Sequence, residues 1–190
     1  MLAAVDPYAT KVLTPELHGR LVANIDHFAA DAGIQKHWLW TPVAPYLGEA
    51  ESEYVKTFHK LRREGMVKGL VMTRKTAEAD PFERMSAMAA VFTRNFVRAR
   101  LMTLQHVLGI LKEGDSPEAT VLLIPNFFHS KDEGGTILPW QAGVLYDLML
   151  QRAAQGKHTA IYATGVDEMG ASYGSAFARF VSSHYLKAEI

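Results

Sequence analysis

The 190-residue chain contains no cysteine, which excludes disulfides, thiolate catalysis and cysteine-type zinc centres together. It has no apolar run approaching the roughly 18–20 residues that a membrane-spanning helix needs. Its opening stretch, Met1 to Asp6, carries neither the basic residues nor the apolar core of a secretory signal. A cytoplasmic setting without a membrane partner is the expectation. Metal-ligand spacing is missing as well, since the eight histidines include no His-x-x-x-His or His-Glu-x-x-His pair. Ser172-Tyr173-Gly174-Ser175 lacks the glycine-flanked serine of a nucleophile elbow. No enzyme constellation stands out.

Net charge is zero, and that zero hides a segregation. Between Lys56 and Lys112 twelve Lys/Arg stand against four Asp/Glu, and the remainder is acidic. Two readings stay open: chance clustering on solvated helix faces, or one basic face for phosphates on an acidic body. The hydrophobic fraction of 48% and the length suit a single globular domain with its own core.

Periodicity supplies the elements. Thr14-Pro15-Glu16 is a helix start with a hydroxyl at the N-cap, followed by Leu17, Leu21, Ile25, Phe28 and Ala29 at helical spacing and a stop at Gly33. The stretch from Ile34 to Gly48, with Trp38 and Trp40, has little regular signal and reads as a linker or strap. A second helix is predicted over Glu49 to Glu64, with a basic flank of Lys56, Lys60, Arg62 and Arg63. Strand and helix then alternate. Strands are predicted at Gly69–Thr73, Val97–Leu101, Ala119–Ile124 and His158–Thr164, and helices from Pro81 to Asn95, from Thr103 to Gly114, from Pro139 to Gly156 and from Ser175 to Tyr185. Asn126 to Leu138, with Gly134-Gly135, reads as a polar loop. Met85, Met88, Phe92 and Phe96 form a soft stripe, read first as core packing, with an adaptable partner surface as the alternative. Alternation of this kind predicts a parallel sheet covered by helices on both faces.

The order of these segments resembles the AAA+ domain of DnaC-type helicase loaders. Gly33-Ile34-Gln35-Lys36-His37-Trp38 is similar to the short lead-in of that family, and Val121 to Ile124 stands where the family has its Walker B strand. Trp140-Gln141 through Tyr146 to Gly156-Lys157-His158-Thr159 resembles its next helix and turn, and Ile161 to Thr164 its sensor strand. Tyr173-Gly174-Ser175 through Arg179 is similar to the segment carrying the arginine finger. The resemblance implies a P-loop/AAA+-like α/β domain over residues 49–190, with residues 1–48 as a helical extension and strap, and no lid domain.

The departures from the family decide the expected function. A phosphate loop needs glycines, so that backbone N–H groups can wrap phosphates, then Lys and Ser/Thr. The segment after the first strand, Thr73-Arg74-Lys75-Thr76-Ala77-Glu78-Ala79-Asp80, has no glycine and adds two acids that would repel a triphosphate. The apolar third strand is followed by Pro125-Asn126 instead of an acid for Mg²⁺. The sensor position reads Thr164-Gly165 where the family usually has a polar pair ending in Asn. ATP hydrolysis is therefore not expected, and no cofactor is.

What the resemblance implies is an ATP-independent loader, similar to phage B-type replication proteins, that binds a DnaB-type replicative helicase and single-stranded DNA. The helicase would meet Leu17, Leu21, Ile25, Phe28, Trp38 and Trp40. Nucleic acid would meet Arg74, Lys75, Arg94, Arg98 and Arg100, with Phe92 and Phe96 for base stacking. The alternatives are a stand-alone single-stranded nucleic-acid binder and a dead AAA+ subunit that inhibits a host replication ATPase by plugging into its oligomer through Arg179. A homo-oligomer through that contact is possible on either reading.

Overall fold

In the computed structural model, which describes residues 6–76, 78–130 and 137–190, the chain adopts the expected α/β architecture. Five strands, β1 (Gly69–Thr73), β2 (Ala99–Leu101), β3 (Val121–Phe128), β4 (His158–Ala163) and β5 (Tyr185–Glu189), form one sheet in the order β2-β3-β4-β1-β5. Every neighbouring pair runs parallel. Parallel strands need crossovers, and the helices supply them: α3 (Glu49–Glu64) before β1, then α4 (Pro81–Arg94), α5 (Leu104–Lys112), α6 (Pro139–Ala154), α7 (Val166–Tyr173) and α8 (Ser175–His184).

Both faces of the sheet are covered, which is why its strands read as continuous apolar runs. Leu70, Met72, Leu123, Ala160 and Tyr162 point to the side packed by Tyr54 and Phe58 of α3 and by Met85, Met88 and Phe92 of α4. Val71, Leu122, Ile124 and Ile161 point to the side packed by α5, α6, α7 and α8. An ion pair between Arg84 and the buried Glu51, 2.6 Å long, ties α4 to α3.

Two predicted elements differ from expectation. The first helix is two, α1 (Pro15–Ala23) and α2 (Ile25–Ala32), broken at Asn24, where the backbone leaves helical geometry at φ −125°. The Thr14 hydroxyl makes no cap; the Thr14 N–H instead donates to His18 Nδ1 at 3.0 Å. β3 runs four residues past its apolar run, through Pro125 and Asn126 to Phe128. Pro125 is tolerated because the ladder to β4 is irregular between Ile124 and Phe128. Tyr173 donates its hydroxyl to the Phe127 carbonyl at 2.8 Å and holds that irregular segment against α7. The polar loop therefore starts at His129, and its Asp132-Glu133 and Gly134-Gly135 lie outside the described residues. The strap from Ile34 to Gly48 contains two 3₁₀ turns, Lys36–Leu39 and Ala44–Tyr46.

At the amino ends of the strands lies a polar group with no counterpart in the sequence reading. Arg152 is fully buried and donates to Thr159 Oγ1, the Pro117 carbonyl and the His158 carbonyl at 3.0, 3.2 and 2.7 Å. Burial pushes its guanidinium down to about 10, still charged at neutral pH. Beside it, His158 Nδ1 and the Tyr54 hydroxyl share a 3.0 Å hydrogen bond. Burial, helped by Arg62, Lys68 and Arg152, pushes His158 down to about 4.

That shift has a signed consequence. Between pH 6.5 and 4 the unfolded chain takes up a proton at His158 that the folded chain refuses, so stability falls as pH falls through that window. Chemical denaturation at pH 7 and at pH 4 should show the wild type losing more stability than His158→Gln, by on the order of 3 kcal/mol at most. Equal losses would mean that His158 is not held neutral by the fold.

Candidate functional site

In an open parallel sheet, ligands bind outside the carboxyl ends of the strands, where helix N-termini offer unpaired N–H groups. The junction from β1 to α4 is that place in this chain. Four of its described donors are already taken. Asp80 is the N-cap of α4, and its Oδ1 accepts from the N–H groups of Phe82 and Glu83 at 2.8 and 3.1 Å. The backbone N–H groups of Lys75 and Thr76 both donate to the Ile190 carbonyl, the latter at 3.0 Å. Ile190 is held there because its own N–H bonds the Thr73 carbonyl at 2.8 Å, extending the β1–β5 ladder, and its side chain is buried among the residues of the α3–α4 face. Lys75 Nζ lies 3.9 Å from Glu189, an exposed pair. Arg74, also exposed, has a partner of its own.

Asp80 thus has a different role from the one read in the sequence. It is a carboxylate that occupies the anion position of the helix, and Asp followed by Pro81 at N1 is a helix-start signal that could have identified it. Asn126 is also committed: its Oδ1 accepts from the Leu104 N–H at 2.8 Å, capping α5 together with Thr103. Because β3 continues past it, the residue that follows the strand is His129, whose ring lies 5.8 Å from that of Tyr162. The Thr164 N–H donates to the Phe128 carbonyl at 3.1 Å, closing the end of β4 onto β3.

The basic residues assigned to nucleic acid turn largely inward, onto the N-terminal extension. Arg98 makes a two-pronged contact with Asp31 of α2, Nε and Nη2 each 3.2 Å from a carboxylate oxygen. Arg100 Nε donates to the Asp31 backbone carbonyl at 3.1 Å and lies 3.7 Å from its carboxylate. Arg94 donates to the Thr41 carbonyl of the strap at 3.2 Å, and burial pushes its guanidinium below the usual value. The Arg98 guanidinium, with Arg100 nearby, holds the Asp31 carboxyl below its ordinary range. Gly33 sits against the Leu101 carbonyl at the end of β2 with φ at +69°, a place where any Cβ would collide.

The apolar face of the extension is divided. Leu21 is fully buried with Leu13, Ala29, Leu39 and Ala90 of α4, whereas Ile25, Phe28, Trp38 and Trp40 pack around that cluster partly exposed. Leu17 is 69% exposed. Of the two rings assigned to stacking, Phe92 is buried at 2% and cannot reach a base, which corrects that expectation. Phe96 is 62% exposed and so is not the core residue that its stripe suggested. Arg179 is exposed on α8 and pairs with no other described residue.

No protein-family model and no curated protein sequence matches the chain. Solved structures do. The DnaC helicase loader superposes with a TM-score of 0.57 at 13% identity, over 82% of this chain and 99% of that one. DnaI gives 0.56 at 11%, over 83% and 91%. AMPPCP-bound DnaA from Aquifex aeolicus gives 0.53 at 11%, over 76% of this chain, which spans only 47% of the DnaA chain. The fold is that of the DnaA, DnaC and DnaI replication-initiation and helicase-loader structures, an AAA+-like arrangement shared at low sequence identity. Among the described residues no helix is long and apolar enough to cross a membrane.

The Asp31 cluster predicts a local effect. Asp31→Ala leaves Arg98 and Arg100 without their anion, so hydrogen exchange in residues 14–33 should accelerate while β3 and β4 stay protected. Unchanged exchange in those residues would show that the apolar cluster alone holds the extension.

Proposed function

We propose that the chain is a helicase-loader-like DNA-replication protein that works by binding, without hydrolysing ATP, and that it meets a DnaB-type replicative helicase and single-stranded DNA. The observation that carries the non-hydrolytic part is occupancy. Four N–H groups at the β1–α4 junction, those of Lys75, Thr76, Phe82 and Glu83, are satisfied by the chain's own Ile190 carbonyl and Asp80 carboxylate. A triphosphate placed there would have to displace both and would meet the Asp80 charge at close range, which costs more than a missing contact. The loader part is supported by the shared fold, since the DnaC chain is matched over almost its whole length.

For the helicase, the surface is the outer side of the extension. Leu21 is spent inside the chain, which leaves Leu17, with the exposed edges of Ile25, Phe28, Trp38 and Trp40, as the apolar contact. For DNA, the exposed basic side chains of the middle segment supply the charge, and phosphate contacts of this kind give an affinity that falls steeply with salt.

Two measurements test this. In thermal melting, millimolar ATP with Mg²⁺ should leave Tm unchanged, whereas a ligand held at a hundred times its Kd would stabilise by about 2.7 kcal/mol. A clear rise in Tm would show that nucleotide binds and would overturn the occupancy argument; release of phosphate from ATP by the purified chain would overturn the non-hydrolytic reading. In a pull-down, a DnaB-type hexamer should retain the wild-type chain and lose Leu17→Asp, a change at an exposed position that leaves the melting temperature intact. If the hexamer retains neither protein, the loader reading falls.

A further inference from the structure

α4 ends in an unusual way. The Phe96 N–H bonds the Thr93 carbonyl at 3.0 Å and the Val97 N–H bonds the Phe92 carbonyl at 2.9 Å, the paired closure in which the residue after the C-cap is left-handed. That residue is usually glycine, because a Cβ is disfavoured there. In this chain it is Phe96, at φ +59°. The strain is not offset by burial, since the ring is 62% exposed. Phe82 and Trp140 are the other large exposed aromatics among the described residues, and neither has a positive φ. A strained aromatic that the core does not use is a departure that local stability does not explain.

The surroundings indicate the ligand. The Phe96 ring lies near-parallel to the His18 imidazole, with centroids 6.1 Å apart and planes 15° apart. Beside it opens a cleft of about 240 Å³ bounded by Phe28, Asp31 and Arg98, large enough for one planar ring system and too small for a drug-sized ligand. At this wall Arg98 pairs with Asp31, a carboxylate it shares with Arg100, and Glu118 also lies within electrostatic reach of it, while its side chain stays half exposed. Across the cap a second cleft, about 280 Å³, separates α4 from α3 and has Lys56, His59 and Asn95 at its edge. Lys56, His59, Lys60 and Arg63 are all exposed and recur at intervals of three and four, one stripe along α3. A flat aromatic surface flanked by cations on both sides matches the repeating chemistry of a single strand, a π face between phosphates.

We propose that Phe96 is the stacking platform for an unpaired base of single-stranded nucleic acid, with the flanking phosphates on Lys56 and Lys60 of α3 and on Arg98, the residue before β2. The inference rests on the nucleic-acid part of the function proposed above and moves the contact away from Arg94 and Phe92, which the fold has taken up. Stacking makes the contact tolerant of sequence, so oligothymidylate and oligodeoxyadenylate both bind.

The test is fluorescence anisotropy of labelled oligothymidylate against the full chain at low salt, for the wild type, Phe96→Gly and Phe96→Trp, with a melting curve for each. Phe96→Gly relieves the backbone, so its Tm should equal or exceed that of the wild type while its affinity drops about tenfold. Phe96→Trp should bind at least as tightly as the wild type. Lys56→Ala should lower the dependence of log affinity on log salt by about one. A wild type that binds alongside an equally tight Phe96→Gly overturns the stacking proposal alone and marks the ring as a contact for an apolar protein surface. A wild type that binds no oligonucleotide at low salt overturns the nucleic-acid reading and the platform with it.

Discussion

The Asp80 carboxylate on the N–H groups of Phe82 and Glu83 determines how the carboxyl end of the sheet is used. A helix N-terminus in a parallel α/β fold carries a partial positive charge and unpaired donors, and something anionic must satisfy it. Here the carboxylate of a residue two positions away satisfies it. The consequence spreads along the junction. With Asp80 seated, the N–H groups of Lys75 and Thr76 turn to the Ile190 carbonyl. β5 is thereby drawn into register with β1, from Gly69 opposite Tyr185 to Thr73 opposite Glu189. An internal carboxylate and a strand end thus meet at the β1–α4 junction.

A closed carboxyl end shifts the exposed chemistry to the flank, where the extension meets β2 and α4. That flank is held by two kinds of contact with different jobs. The apolar cluster of Leu13, Leu21, Ala29, Leu39 and Ala90 removes area from water and carries most of the stabilisation. The Asp31 pairs are part-exposed, and pairs of that kind are worth about 0–1 kcal/mol each. Their value is positional, since a two-pronged Arg98 contact fixes the rotation of α2 against β2, which an apolar contact does not. The basic segment of the chain therefore splits. Arg94 and Arg100 serve internal geometry, Arg98 pairs with Asp31 while its side chain stays half exposed, and Lys56, Lys60 and Arg63 face solvent.

Much of this architecture was legible in the sequence, and the reason is periodicity. Glu49–Glu64, Gly69–Thr73 and the helix starting at Pro81 follow from apolar spacing, a glycine at the end and a proline at the start, all of which are local signals. β3 was read short because Pro125 and Asn126 look like a turn, and only the irregular ladder to β4 accommodates them in a strand. The break at Asn24 was missed because the apolar spacing runs on across it. Polar partnerships were the least legible. Asp31 with Arg98 lies 67 residues away in sequence, Tyr54 with His158 lies 104 away, and Arg152 finds three acceptors deep in the core. Nothing in a local pattern encodes which distant carbonyl an arginine will reach. The candidate site was legible as an absence of glycines, while what fills the absence needed coordinates.

The two ends of α4 show why that filling matters. At its start the chain places Asp, Pro and Glu, the residues that capping and the helix dipole prefer, and the result is a sealed end. At its finish the chain places Phe where the same closure favours glycine, and the result is a ring held out in water. One end follows the local rules and the other breaks them, on one 14-residue helix. Natural sequences agree with their local structure almost everywhere and depart from it chiefly where something other than stability is at stake. Among the described residues of α4 and its caps the positive φ falls at Phe96 and not at Asp80, so the proposed contact sits at this end of the helix, on the surface that α3, the α4 cap and the N-terminal extension share.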